Sequence, residues 1–192
     1  MNCSSLHNRR HWILKVLLIS IIMLLGLPFR VNAQEDVMVV KAVYLERFTR
    51  FVDWPESVDD GDTTKHFVIG VIGNKDFVPL LEEVYANQKV KNRTVSVRYF
   101  NAPQDIVGCH LLFVTTTNNN KLSQILSVTE EQPILTVGDT RGYAEAGVLI
   151  NLSLVDNKIR FAINDAAVRK SGLRLSSLLL QWAQIVGYGG QE

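Results

Sequence analysis

Histidine and cysteine bound the chemistry open to this 192-residue chain, which has four of the first and two of the second. His7 and His11 lie in the N-terminal stretch, leaving His66 and His110 for the rest. A Ser-His-Asp or Cys-His centre needs a base that reaches its nucleophile. Cys109 and His110 are neighbours in Cys109-His110-Leu111-Leu112-Phe113-Val114, an apolar, strand-like run. Neighbours on a strand point to opposite faces, so these two cannot pair. Zinc needs three or four clustered ligands, which two scattered histidines do not supply, and no metal ligand is assigned. His110 reads as a hydrogen-bonded core or edge histidine. Cys109 reads as a buried, inert thiol. Its alternative is a redox or intermolecular disulfide site, which requires exposure and a lowered pKa.

Other combinations are weaker. Gly70-Val71-Ile72-Gly73-Asn74 has two glycines but no following Lys-Ser/Thr, so it is neither a P-loop nor a dinucleotide fingerprint. It reads as a tight turn from strand to helix. Glu82-Glu83 and Glu130-Glu131 are adjacent acids, whereas catalytic carboxylates face each other across a substrate. Arg160, Arg169, Lys170 and Arg174 form a basic set that suits an anionic ligand or an acidic surface, or is simply solvated. Ser176-Ser177 fits a helix cap. Trp54-Pro55 is a core anchor, or an exposed aromatic contact for a partner. No catalytic residue and no cofactor follow from any of these.

The elements that must position these residues begin after an address. Met1–Ala33 holds four basic residues and no acid, with the uncharged run Val16–Phe29 and then Val31-Asn32-Ala33, small at the last and third-last positions. That is the layout of a cleaved secretory signal, with Gln34 as the new N-terminus and an exported domain over 34–192. An uncleaved anchor is the rival, but a spanning helix wants about 20 apolar residues. Without those 33 residues the chain carries 16 Lys+Arg against 19 Asp+Glu, a net of −3, which argues against a nucleic-acid partner. One remaining cysteine excludes an internal disulfide, so the core alone holds the domain.

Val37, Val40, Tyr44, Phe48 and Phe51 recur at helical spacing and predict a helix over roughly Glu35–Val52, ended by Trp54-Pro55. Strands are expected at Phe67–Ile72, Thr94–Phe100, Cys109–Thr115 and Pro133–Val137, with helices after Asp76 and after Asn118–Asn120 as caps. Val148–Leu154 and Lys158–Ile163 predict a hairpin around Val155-Asp156-Asn157. A short helix capped by Asn164 or Asp165 and closed by Gly172 follows. A last helix carries Leu178, Leu179, Trp182, Ile185 and Val186, and Gly187–Glu192 reads as a frayed tail. This alternation predicts a single three-layer α/β/α domain, its sheet mixed, mainly parallel and of about six strands, with the hairpin as an antiparallel edge.

Several segments in order resemble the YfiR family of small exported bacterial proteins, from about Val39 to Val186. They are Lys41-Ala42-Val43-Tyr44-Leu45, Phe48-Thr49-Arg50-Phe51-Val52-Asp53-Trp54-Pro55 and Phe67-Val68-Ile69-Gly70-Val71-Ile72-Gly73. Cys109–Val114, Ile134-Leu135-Thr136-Val137-Gly138-Asp139, Arg160-Phe161-Ala162-Ile163-Asn164 and Gly172–Leu179 complete the set. The resemblance implies a periplasmic, non-enzymatic repressor that holds an inner-membrane diguanylate cyclase inactive, lowering cyclic di-GMP and biofilm formation. It also implies an outer-membrane lipoprotein that sequesters the repressor, and a homodimer. Redox-controlled members use paired cysteines, and only Cys109 matches here.

The expected function is therefore contact with a membrane diguanylate cyclase or similar sensor. Trp54, Arg160, Arg174, Asp139 and Arg141, with the rest of the 139–147 loop, are the expected partner surface. The alternative is a small-ligand sensor or carrier whose cleft is lined by the basic set and Gly70–Asn74 at the carboxyl ends of the strands. A hydrolase is a third class, disfavoured by the missing nucleophile–base pair.

Overall fold

Phe67–Ile72, Leu111–Val114 and Leu135–Gly138 are buried along their whole length, as expected of strands covered on both faces. The structure, a computed structural model, describes residues 33–115 and 119–187. The expected signal, apart from Ala33, the tail beyond Gly187 and the Asn118 cap lie outside the described residues. The chain from Gln34 onward forms one compact unit.

The first half contains α1 (Ala33–Arg50), β1 (Val52–Asp53), β2 (Phe67–Ile72), α2 (Phe77–Tyr85), β3 (Lys89–Val90) and β4 (Arg93–Phe100). A short 3-10 turn (Pro103–Asp105) leads to β5 (Leu111–Val114), α3 (Asn119–Thr129), β6 (Leu135–Gly138) and α4 (Tyr143–Ala146). Then come β7 (Ile150–Val155), β8 (Lys158–Asn164), α5 (Asp165–Ser171), β9 (Arg174–Leu175), α6 (Ser177–Gln181) and β10 (Gln184–Val186). The sheet order is β10-β8-β7-β6-β5-β2-β4-β3, so it has eight strands and not about six. β1 and β9 pair separately as a two-stranded ribbon. The sheet is mixed and mainly parallel, with antiparallel pairs only at β7–β8 and β3–β4.

The two added strands come from residues with weak local signals. β3 closes a tight hairpin onto β4 through Lys91 and Asn92, both at positive φ. β10 was expected to continue the last helix. Instead that helix stops at Gln181, and Gln184–Val186 lies parallel to Ala162–Asn164. The β7–β8 hairpin is therefore not the sheet edge. Its two-residue turn, Asp156-Asn157, has positive φ at both positions, matching the twist of the flanking strands. Asn164 caps α5 by accepting a hydrogen bond from Ala167 N at 2.9 Å, and Gly172 ends it at φ 73°. Asp76 precedes α2 without making a side-chain cap.

Two apolar layers lie on opposite faces of the sheet. One joins Ala42, Leu45 and Phe48 of α1 and Phe77 and Leu81 of α2 to Ile69, Phe113, Val137 and Ile150. The other joins Leu122 and Ile125 of α3 to Ile72, Leu112 and Val114. The inward face of α1 thus runs through Ala42, Leu45, Phe48 and Thr49, whereas Val40 and Phe51 of the expected stripe are exposed. Gly70 sits inside β2, not in a turn: a Cβ there would lie 2.5 Å from the Phe100 ring and 2.9 Å from both Cys109 Sγ and Leu112. Gly73, at φ 111°, makes the turn, packed on the Thr115 backbone.

His110 ties the centre together. Its backbone N–H donates to Val68 O (2.9 Å), and Val68 N donates to His110 Nδ1 (3.0 Å). Its carbonyl accepts from Leu135 N (2.9 Å) and from Trp54 Nε1 (3.2 Å). The ring stacks on Phe67 with centroids 4.6 Å apart. Accepting at Nδ1 requires the neutral ring. Burial, and secondly the Arg93 charge, push the His110 pKa down to about 4.

Two outcomes follow. The unfolded chain holds a proton on this histidine below about pH 6.5, and the folded chain only near 4, so stability present above pH 6.5 is lost as pH falls through 4. The loss is about 3 kcal/mol. A proton NMR titration should place His110 near pH 4, and a midpoint above 6 would contradict the buried acceptor. Gly70→Ala should cost about 1–3 kcal/mol in urea unfolding by overpacking, and a neutral effect would contradict the close packing at β2.

Candidate functional site

Tyr44, Arg47 and Phe48 share one side of the last two turns of α1, and Phe51, the first residue beyond it, stays close through a hydrogen bond from its N–H to Phe48 O (3.0 Å). On β8, Ile159 and Phe161 alternate onto the same sheet face, while Arg160 points to the other. α6 adds Leu178 and Leu179, and Trp182 follows at its end. Ser176 starts this helix by accepting from Leu178 N (3.2 Å), and Ser176 N donates to Phe51 O (2.8 Å), holding α6 beside the end of α1.

These residues line an open groove of about 490 Å³. Its floor is an aromatic cluster: Phe48 and Phe161 lie 5.2 Å apart edge to face, with Tyr44 at 6.0 Å from Phe48 and 6.4 Å from Phe161. Its rim is exposed, with Leu178 at 56% and Trp182 at 81% of full exposure. A large indole left that open is unusual for a residue that normally contributes to a core. The only charged groups in the lining are Arg47 and Arg160, and neither forms an ion pair among the described residues.

Across the β8 edge lies a second, more polar cleft of about 790 Å³ that includes Asp139, Arg141, Asn151, Arg160 and Gln184. Arg160, Phe161 and Trp182 line both depressions and form the ridge between them. Lys41 of α1 donates to Asp139 Oδ2 at 2.7 Å, with both side chains mostly buried, so α1 is bolted to the carboxyl end of β6 beside this cleft. Asn151 Nδ2 donates to Thr140 O (2.9 Å), fixing the loop between.

Of the residues expected on a partner surface, Asp139, Arg141 and Arg160 come together here. Trp54 does not. It is buried, packs edge to face on Phe67 at 5.0 Å and spends its N–H on His110, so it is a core anchor. Arg174 lies on β9 opposite Asp53, outside both depressions. The basic set is dispersed: Arg169 pairs with Asp165, Lys170 with Glu130 at 3.1 Å, and only Arg160 reaches the groove. Gly70 is filled by core side chains, and Gly73 is packed on Thr115, so neither lines the groove or the polar cleft. Trp182, Leu178 and Arg47 were not expected to be functional, because a leucine and tryptophan at helical spacing signal a core and a lone arginine signals nothing.

Cys109 is buried. Its Sγ lies 2.9 Å from Leu111 O, and burial raises its pKa to about 12, the opposite of what thiol chemistry needs. Among the described residues no group of three or more His, Cys, Asp or Glu is placed to hold a metal ion, and no helix is long and apolar enough to cross a membrane. The folded protein should leave Cys109 unlabelled by a thiol-reactive disulfide reagent over minutes and expose it fully in denaturant. Rapid labelling of the native state would contradict its burial.

Comparison with known proteins gives three results. A family model described as YfiR/HmsC-like matches residues 38–184. No curated protein matches. Among solved structures, an ABC domain in complex with L-Trp from Streptococcus pneumonia is 12% identical with a TM-score of 0.44, covering 62% of this chain and 55% of its own. A conserved domain protein from Vibrio cholerae is 12% identical with a TM-score of 0.46, covering 67% of this chain and 57% of its own. The chain thus spans less than two thirds of either structure, and neither likeness bears on what it binds.

Proposed function

Because the chain belongs to the YfiR/HmsC-like family, we propose that it is an exported, periplasmic regulator that represses an inner-membrane diguanylate cyclase, or a similar sensor, by direct contact. The family match over 38–184 carries this reading. The open aromatic groove supports it, since exposed apolar surface of this kind suits a protein contact better than a reaction. No step of chemistry is assigned to the chain, and an outer-membrane lipoprotein that draws it away fits the same scheme.

A repressor of this kind acts only if it binds the inactive form of its target more tightly than the active form. Moving a target from almost wholly active to almost wholly inactive needs a differential near 10⁴-fold, about 5.5 kcal/mol. Two or three buried anchor side chains, each worth about 2 kcal/mol, supply a term of that size. Trp182, Leu178 and Phe51 are exposed side chains suited to that part.

Deletion of the gene, with the cognate cyclase expressed, should raise cellular cyclic di-GMP, and complementation with the full chain should lower it again. Unchanged levels in the deletion strain would overturn the regulatory reading.

A further inference from the structure

The floor of the polar cleft lies on the sheet face that Ile159 and Phe161 turn away from. Residues paired across neighbouring strands share a face, so Asn151 and Ser153 of β7, Arg160 of β8 and Gln184 of β10 project together, away from Ile150, Leu152 and Phe161. In the order β10-β8-β7-β6, the stretch from Asp139 to Glu145 bounds this floor on the β6 side and Trp182 bounds it on the β10 side. The β6 wall is fixed: Lys41 holds Asp139 at 2.7 Å, and Asn151 Nδ2 donates to Thr140 O at 2.9 Å. A wall set before binding lowers the ordering cost of taking a ligand. The volume of about 790 Å³ falls within the roughly 300–1,000 Å³ of small-molecule clefts.

A hairpin commonly leaves one face in water, and such a face needs no ligand. Asn151 departs from that pattern. It is 6% exposed and lines the cleft, and its Oδ1 has no hydrogen-bond partner among the described residues. A buried polar atom without a partner costs about 1–3 kcal/mol, so the domain keeps here an acceptor that its own packing does not use. Trp182 departs as well, because its indole offers a large exposed apolar surface at the other side of the same cleft. The charges in the lining are two of each sign, Asp139 and Glu145 against Arg141 and Arg160, so no excess of one sign selects an ion.

We propose that this cleft binds a neutral saccharide, with one sugar ring laid on Trp182 and its hydroxyls shared among Asn151, Arg160, Gln184 and the two carboxylates. A sugar hydroxyl both donates and accepts, so it can give its hydrogen to Asn151 Oδ1 or a carboxylate and take one from a guanidinium or amide N–H. Planar amide, guanidinium and carboxylate groups each hold two polar atoms side by side, which suits adjacent hydroxyls on one ring. The C–H-rich face of the same ring is apolar and fits against an indole. The site stands apart from the contact-acting regulator proposed above, and its test reads ligand binding alone.

Protein purified from cells expressing the full chain is titrated with cellobiose, maltotriose and N,N′-diacetylchitobiose, and with citrate and glutamate as charged comparators. Calorimetry and tryptophan emission follow the binding. At least one saccharide should bind with a Kd below about 1 mM and shift the emission. Trp182→Ala should remove the shift, since Trp54 is buried, and should weaken binding about tenfold. Arg160→Ala and Gln184→Ala, at exposed side chains, should each weaken it roughly three- to tenfold with the thermal midpoint unchanged. Asn151→Ala should do the same, and the exposed positions decide the matter if that variant does not fold. Leu178→Ala, which alters the aromatic groove alone, should bind as the parent does. The proposal is overturned if no saccharide binds below about 1 mM, or if citrate or glutamate binds more tightly than every saccharide. Binding that survives all three exposed-cleft variants, or that Leu178→Ala abolishes, would overturn it equally. Cyclic di-GMP levels play no part in this outcome, so the regulatory reading stands or falls separately.

Discussion

The neutral imidazole of His110 is the point on which the sheet is assembled. It sits just before β5 and takes a place that a strand backbone would otherwise fill: Val68 N donates to its ring, and its own N–H answers Val68 O. Its carbonyl serves β6 through Leu135 and the Trp54 indole in the segment after α1. One residue thereby registers β2 with β6 and pins the chain between them. A buried donor left without its acceptor costs more than an ordinary hydrogen bond contributes, so the arrangement is strongly enforced while the ring stays uncharged.

From that centre the rest of the fold follows by exclusion of volume. Gly70 lets Phe100, Cys109 and Leu112 close over β2, and the thiol is consumed as packing material in the process. Phe67 is held between Trp54 on one side and His110 on another, with the Arg93 guanidinium 5.8 Å from its ring. Arg93 is itself buried and reaches Asp59 at 3.4 Å. These contacts seat the end of α1, and the Lys41–Asp139 pair seats its earlier turns against β6. α1 therefore arrives beside β8 in a fixed position, and the groove is the space left between them when α6 closes only part of the gap.

That geometry also accounts for why the apolar stripe of α1 is wider than its core contact. Ala42 and Leu45 face the sheet, while Tyr44 and Phe51 lie toward the groove with Phe48 beneath both. A helix that buried its whole stripe in its own domain would leave no surface for a partner. The same holds for the end of the chain, where the apolar residues divide: Leu179 packs inward, Ile185 joins a strand, and Trp182 stays in solvent.

The sequence by itself determined the alternation of strands and helices, a cap at Asn164 or Asp165 with a stop at Gly172, a hairpin turn within Val155-Asp156-Asn157 and the family, because each depends on contacts within a few residues or on an ordered set of short motifs; the structure chose Asn164 as the cap and left Val155 in the strand. It also left Cys109 and His110 without a catalytic partner in view. Only the tertiary structure decided that Trp54 is core, that Arg160 parts company with Arg169, Lys170 and Arg174, and that Trp182 is exposed beside Arg47. Hydrophobic periodicity says which residues want to leave water but not what covers them. Whether a tryptophan ends in a core or on a rim depends on where distant elements stop, and here Gln184–Val186 chose the free edge of β8 over another turn of helix.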